Sequence, residues 1–530
     1  VRFAVLLGAL AAPLALGASA APAARAQVVT SQYDNARTSA DTTETVLTPR
    51  NVTPGRFGRR FRIPVDGDVF AQPLFLPRVR VAGGRTLGLL FVATEHGSVY
   101  AWNADEPTPR PVWRTSFVRP DAGITAVPSH DVRCPFIRPE VGITATPVID
   151  TATGTLYVLM RTREPGAGGP RYVQRLHALD VATGAERPGS PVEIAARSRG
   201  AGAGGANGTV AFDPLRENPR AALLLTHGRV VIAWASSCDV GPYHGWVMAF
   251  DARTLAPLAA LDVSPDASQG GIWQSDTGPA ADAAGTVYLI TGNGGFDADR
   301  GGRDWGNSVL ALRLEGGAWR VTDSFTPFDQ ATLDQEDGDL GSGGPALARA
   351  DGAPRLVFAS KAGRVYVLDP AHLGGHHTGG DTGALQTFDQ SDGEYGAPAC
   401  WNGHVYVQGS DAPLCDYVWT QGRLAPASRA TARLPNPGAT PTVSAHGTRD
   451  GIVWTIESKP FGGEDRPAVL HAYDAANVAH ELYTSEQNAA RDRAGTCLRF
   501  TLPTVAAGRV YVGTRGGVDV YGLLAPGTGR

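Results

Sequence analysis

The sequence predicts an all-β fold, an eight-bladed β-propeller of four-stranded antiparallel blades, and three observations carry that prediction. Strand-like runs alternate apolar and polar residues with period two, helical periodicity is nearly absent, and one strand–turn–strand unit recurs eight times. Each unit has a β-branched strand, a glycine turn and a second strand that often ends in Asp. At roughly 40–75 residues per unit, the spacing suits four-stranded blades packed around an axis.

The units follow in order. The first is RTLGLLFVATEHGSVYAWNAD at 85–105, and the second joins GTLYVLMRTRE to YVQRLHALDVATG across 154–184. The third covers 229–255, the fourth pairs GTVYLITGNG with NSVLALRLEGG, and the fifth is PRLVFASKAGRVYVLDPAHLGG from 354. GHVYVQGSDAP at 403–413 is the weakest copy, so six or seven blades also fit the pattern. GIVWTIES with AVLHAYDAANV forms the seventh, and GRVYVGTRGGVDVYGLL the eighth. That last copy is short of strands, and a strand over about Val28 to Tyr33 is predicted to complete it and close the ring. The long connections 118–139, 198–208, 296–307, 325–344 and 372–395 carry most of the unusual residues. Function is expected there, because a rigid blade set positions its loops.

The composition agrees with a folded, turn-rich chain: 66 Gly and 39 Pro sit beside 42% hydrophobic residues. A net charge of -4 with no basic run argues against a nucleic-acid partner. Arg2 followed by FAVLLGALAAPLALG reads as a secretory leader over 1–26, leaving 27–530 as one propeller domain. No later run approaches the ~18 apolar residues of a membrane span, so the chain is expected to be secreted or periplasmic. In such a compartment the five cysteines allow two disulfides, with Cys400–Cys415 and Cys134–Cys238 both open as pairs.

The densest chemistry lies in QGGIWQSDTGPAADAAGTVYLITGNGGFDADRGGRDWGNS, 269–308. It holds an aromatic platform, a neutral oxygen ligand and a carboxylate at loop ends. With RTSADTTETVLTPRNV at 37–52, FTPFDQATLDQEDGD and ASKAGRVYVLD, this stretch resembles the pyrroloquinoline quinone (PQQ) alcohol dehydrogenases, eight-bladed quinoproteins. The resemblance implies a PQQ- and Ca²⁺-dependent oxidation of an alcohol or related hydroxyl compound. It places Trp273 as the floor beneath the quinone, where a planar ring system needs a wide π surface. Asn293 and Asp239 become metal ligands, the latter where the family has a glutamate. Asp304 becomes the catalytic base beside the metal, and Gly306, where lanthanide-using relatives carry an aspartate, implies calcium. Lys361 becomes a cationic donor to the quinone carbonyls, and Cys134 and Thr162 become cofactor contacts. On the residues alone, each of these also fits a plain role: a core tryptophan, a turn asparagine or aspartate, a strand-end lysine.

The departures from the family define a rival. The family's adjacent cysteine pair is reduced to Cys134, the arginine that follows is replaced around Glu140 and Val141, and the blade-docking tryptophan motif is eroded. These changes suit a cofactor-free propeller kept as an extracytoplasmic binding or assembly scaffold. No Cys-x-x-Cys-His occurs, so an enzyme of this kind would need a separate electron acceptor. His376 and His377 read as a solvated loop, and His96 and His244 as pocket lining. No serine-nucleophile elbow, phosphate loop or zinc-protease helix is present.

Overall fold

The computed structural model describes Val1 and residues 26–457 and 459–525, so the expected leader lies almost wholly outside it. Eight four-stranded antiparallel sheets form the ring. Blades 1 to 7 occupy 74–116, 148–193, 217–262, 280–326, 346–389, 399–434 and 442–484, and blade 8 joins 504–523 to an N-terminal strand. The weak sixth copy is a full blade. The middle strands are buried on both faces: Ser98–Asn103 is buried throughout, and Trp234 and Trp246 are fully enclosed. Aromatic contacts stitch the interfaces, as where Phe212 meets Trp234 edge-on at 5.2 Å.

The strand that closes the ring is Phe57–Pro64, paired antiparallel with Gly517–Leu523. Phe57 anchors it, fully buried between Trp454, Tyr483 and Tyr521. The expected closing strand at 28–33 does not form. Gln32, Tyr33, Arg37 and Ser39 all take left-handed backbone (φ 57°, 74°, 59° and 56°), which an extended strand cannot accommodate.

That stretch does something else: it plugs one end of the axial channel by bonding to every blade. Val28 bridges Phe75 in blade 1, the Val29 carbonyl accepts from Ile149 in blade 2, and Arg37 donates to the Leu223 carbonyl of blade 3. The carbonyls of Asn35, Ala36, Thr38 and Ser39 accept from Ala281, Leu347, Cys400 and Val443, in blades 4 to 7. The Tyr33 hydroxyl accepts from Val505 N of blade 8. Arg37 is fully buried, and its remaining donors go to the carbonyls of Pro279 and Ser31 and to Thr30 Oγ1.

Of the two candidate disulfides, Cys134–Cys238 forms, across 104 residues. Cys400 and Cys415 are free thiols. They sit on strands of blade 6 with His404–Gln408 between them. Two strand spacings are roughly 9–10 Å, beyond the ~7 Å Cα separation a disulfide spans.

Candidate functional site

Above the plug the axis opens into two continuous chambers. Gln32 N donates to Gln72 Oε1 and Gln72 N to Thr146 Oγ1, each at 2.9 Å, and Thr146 already borders the inner chamber. This chamber is small, about 60 Å³, and is bounded by Thr144, Asn218, Arg220, Ser236, Asp276 and the Cys134–Cys238 disulfide. The outer chamber holds about 300 Å³, the lower end of the range of small-molecule sites. Trp273, Asp239, Asp337, Asp339, Lys361 and Tyr395 line it, while Arg220, Cys238, Phe136 and Phe500 border both spaces.

Asp339 organises the polar side. Its carboxylate accepts from Trp273 Nε1 at 3.1 Å, from Asn293 N at 2.9 Å and from Lys361 Nζ at 3.1 Å. Gly292 makes this possible, because a Cβ there would lie 2.3 Å from Asp339 Oδ1 and 2.7 Å from Trp273 Nε1. Burial pushes the Asp339 carboxyl up to about 6 against the charge of Lys361. Burial works against the Lys361 ammonium, yet Asp339 and Asp337 together raise its pKa. Asp337 is the more open carboxylate, its side chain 66% exposed; it lies 2.7 Å from Lys361 Nζ and accepts from Asn293 Nδ2 at 2.9 Å. Asp239 accepts from the Tyr243 hydroxyl at 2.7 Å, and burial raises its pKa.

The opposite side is aromatic and cationic. Phe136, Tyr395, Phe461 and Phe500 form a contiguous cluster at the mouth, with neighbouring centroids 5.4–6.2 Å apart. Arg499 lies over Phe136 and Phe461 at 4.4 and 4.5 Å and donates to the carbonyls of Lys459 and Pro460. Arg220 lies 4.6 Å over Phe500 and 5.9 Å over Trp273. Burial pushes its guanidinium down to about 10, partly offset by Asp276, Asp239 and Asp339. The disulfide fixes the 118–139 loop beside Asp239, at the edge of both chambers.

The structure thus brings Trp273, Asp239 and Lys361 to the outer chamber, with Asn293 just behind Asp337, and Cys134 to the adjoining inner one. It does not bring Asp304 or Thr162 there. The Asp304 carboxylate accepts from Asp266 N at 3.0 Å, its own N–H donates to Asp297, and it borders neither chamber. The loop carrying it folds back on itself beside Asp266. Thr162 bonds Glu164 at 2.8 Å in a separate cleft with Phe117 and His177. His96 pairs with Glu140, His244 bonds Ser264 and Ala203, and His376 meets the Thr326 carbonyl, all away from the chambers. Sequence reasoning missed Asp337, Asp339, Arg220 and Phe500, although the 325–344 connection was singled out as a long loop.

These donors do not close around a calcium ion. Asn293 turns its Oδ1 to Asn307 Nδ2 at 3.2 Å and its own Nδ2 to Asp337, and Lys361 already lies between Asp337 and Asp339. Among the described residues no three His, Cys, Asp or Glu side chains are grouped to hold a metal. The chamber offers an aromatic floor in Trp273, an aromatic rim and the guanidinium of Arg220 on its wall.

No protein-family model and no curated protein matches the sequence. Among solved structures the chain is similar to the quinohemoprotein alcohol dehydrogenase of Comamonas testosteroni, with TM-score 0.58 and 15% identity over 94% of this chain and 81% of that one. A quinohemoprotein alcohol dehydrogenase of Pseudomonas putida HK5 gives 0.57 and 15%, over 94% and 80%. A europium-containing methanol dehydrogenase gives 0.53 and 14%, over 94% and 98%. At these identities the likeness is one of fold, the eight-bladed propeller of these dehydrogenases in a divergent sequence.

Proposed function

We propose that this propeller is an extracytoplasmic quinoprotein-type oxidoreductase that binds PQQ in the outer axial chamber and oxidises a small hydroxyl compound. One observation carries the reading: Trp273, Lys361, Asp337 and Arg220 converge on a single cavity. When bound there, PQQ would supply a two-electron acceptor, a chemistry the side chains lack. Trp273 would support the planar rings, and its N–H to Asp339 fixes the tilt of the indole. Asp337 is the base of choice, because it faces the cavity and Lys361 holds its carboxylate in place. It would take the substrate hydroxyl proton at the mouth, where Phe136 and Phe461 limit access of water. Electrons would leave to a separate acceptor. The disulfide supports an oxidising compartment.

Calcium remains the expectation of the resemblance, and no step is assigned to it because the donors do not converge. That same feature favours the rival reading of a cofactor-free scaffold. A dye-linked assay with added PQQ, run over short-chain and aromatic alcohols, separates the two. Asp337→Asn is expected to lower PQQ-dependent turnover by roughly 10²–10⁴, whereas Asp304→Asn stays within about threefold of the wild type, roughly 0.65 kcal/mol. Absence of any PQQ-dependent turnover in the wild type would sink the enzyme reading.

A further inference from the structure

An arginine held inside a fold normally spends its five N–H donors on protein carboxylates or carbonyls. Arg220, half-buried, does not. Among the described residues its guanidinium makes no hydrogen bond and no ion pair, although it lines both chambers. Asp276, Asp239 and Asp339 are close enough to influence its charge, yet none reaches it. Phe500 and Trp273 hold the plane of the group through their faces, an interaction that leaves every N–H free. Arg499, by contrast, sits in the same aromatic rim with its donors engaged by two carbonyls.

We propose that Arg220 is a carboxylate anchor, gripping an acid group of a planar aromatic ligand whose rings lie across Trp273. This donor lies within blade 3, on the segment between the strands Glu217–Asn218 and Leu224–Thr226. The identity of the ligand as PQQ rests on the function proposed above; the anchor rests on the surroundings of Arg220. A guanidinium fork matches a carboxylate in two parallel bonds, and the flanking rings favour a flat body over a free inorganic anion.

Calorimetric titration tests this with the full chain and three probes: PQQ, its trimethyl ester and quinoline-2,4-dicarboxylate. The wild type is expected to prefer PQQ to the ester. Arg220→Met should weaken PQQ by roughly 10- to 100-fold, the loss of a charged hydrogen-bonded pair, and leave the ester within about threefold. Arg220→Lys should recover part of the loss, and thermal unfolding of each variant reports that it is folded. Equal PQQ affinity in the wild type and Arg220→Met would overturn the anchor. If PQQ fails to bind the wild type while the dicarboxylate binds in an Arg220-dependent way, the cofactor reading falls and the anchor stands. If no probe binds, both fall.

Discussion

Arg37 and Arg220 lie along the same axis, one in the plug and one at the open end, and burial pushes both guanidinium groups down to about 10. Arg37 is satisfied by the carbonyls of Pro279, Ser31 and Leu223 and by Thr30 Oγ1. Arg220, half-buried, lies against two aromatic faces and has no acceptor among the described residues. The lowering is similar, and the satisfaction is opposite. Burial of a charge therefore does not distinguish a structural end of this channel from a working one; unengaged donors do.

Substitutions at the two ends sharpen that contrast. Arg37→Met should have the largest effect, orphaning four buried acceptors and costing about 3–5 kcal/mol in urea unfolding. A loss below about 1 kcal/mol would mean the plug adds little. Opening the Cys134–Cys238 disulfide with a double Cys→Ser variant should cost about 2–4 kcal/mol, because it frees a long loop in the unfolded chain. Arg220→Met should change stability by less than about 1 kcal/mol, since it removes a charge that has no partner. A large loss there would place Arg220 with Arg37 as structural.

The smallest effect concerns pH. Burial raises the Asp276 carboxyl to about 7, opposed by Thr440 and Arg220, and the Asp339 carboxyl to about 6. A folded-state pKa above the ordinary 3.8 means that the folded chain holds the proton more tightly than the unfolded one. This contribution is therefore fully present below about pH 3.8 and is lost as pH rises through about 6 to 7. Asp276→Asn should flatten the part of the stability profile between about pH 4 and 7, measured by urea midpoints in matched buffers. An unchanged profile would show that Asp276 is not buried as described.

How far the sequence reaches is clear from particular residues. Continuous apolar runs such as VVIAWAS at 230–236 record burial on both faces, so the strand pairs of all eight blades were legible. Phe57–Pro64 was hidden because Arg59, Arg60 and Arg62 make it look like a loop, yet Arg59 and Arg62 pair with the buried Asp519. The run at Val28 looked like a strand because left-handed backbone at Gln32 and Tyr33 leaves no mark on hydropathy. Asp304 lies near Trp273 and Asn293 in sequence but belongs to a loop that folds on itself. Asp337 and Asp339 come from the connection between blades 4 and 5, which reaches the axis. Spacing along a chain does not say which loop of a propeller points inward.

On the reading proposed above, the open end of the axis binds a planar acidic cofactor on Trp273. Calorimetric titration of the purified protein with PQQ, beside Trp273→Ala, tests it most directly. One saturable site is expected in the wild type, weakened roughly tenfold or more without the indole. Absence of saturable binding at micromolar PQQ, or equal binding by Trp273→Ala, would contradict it.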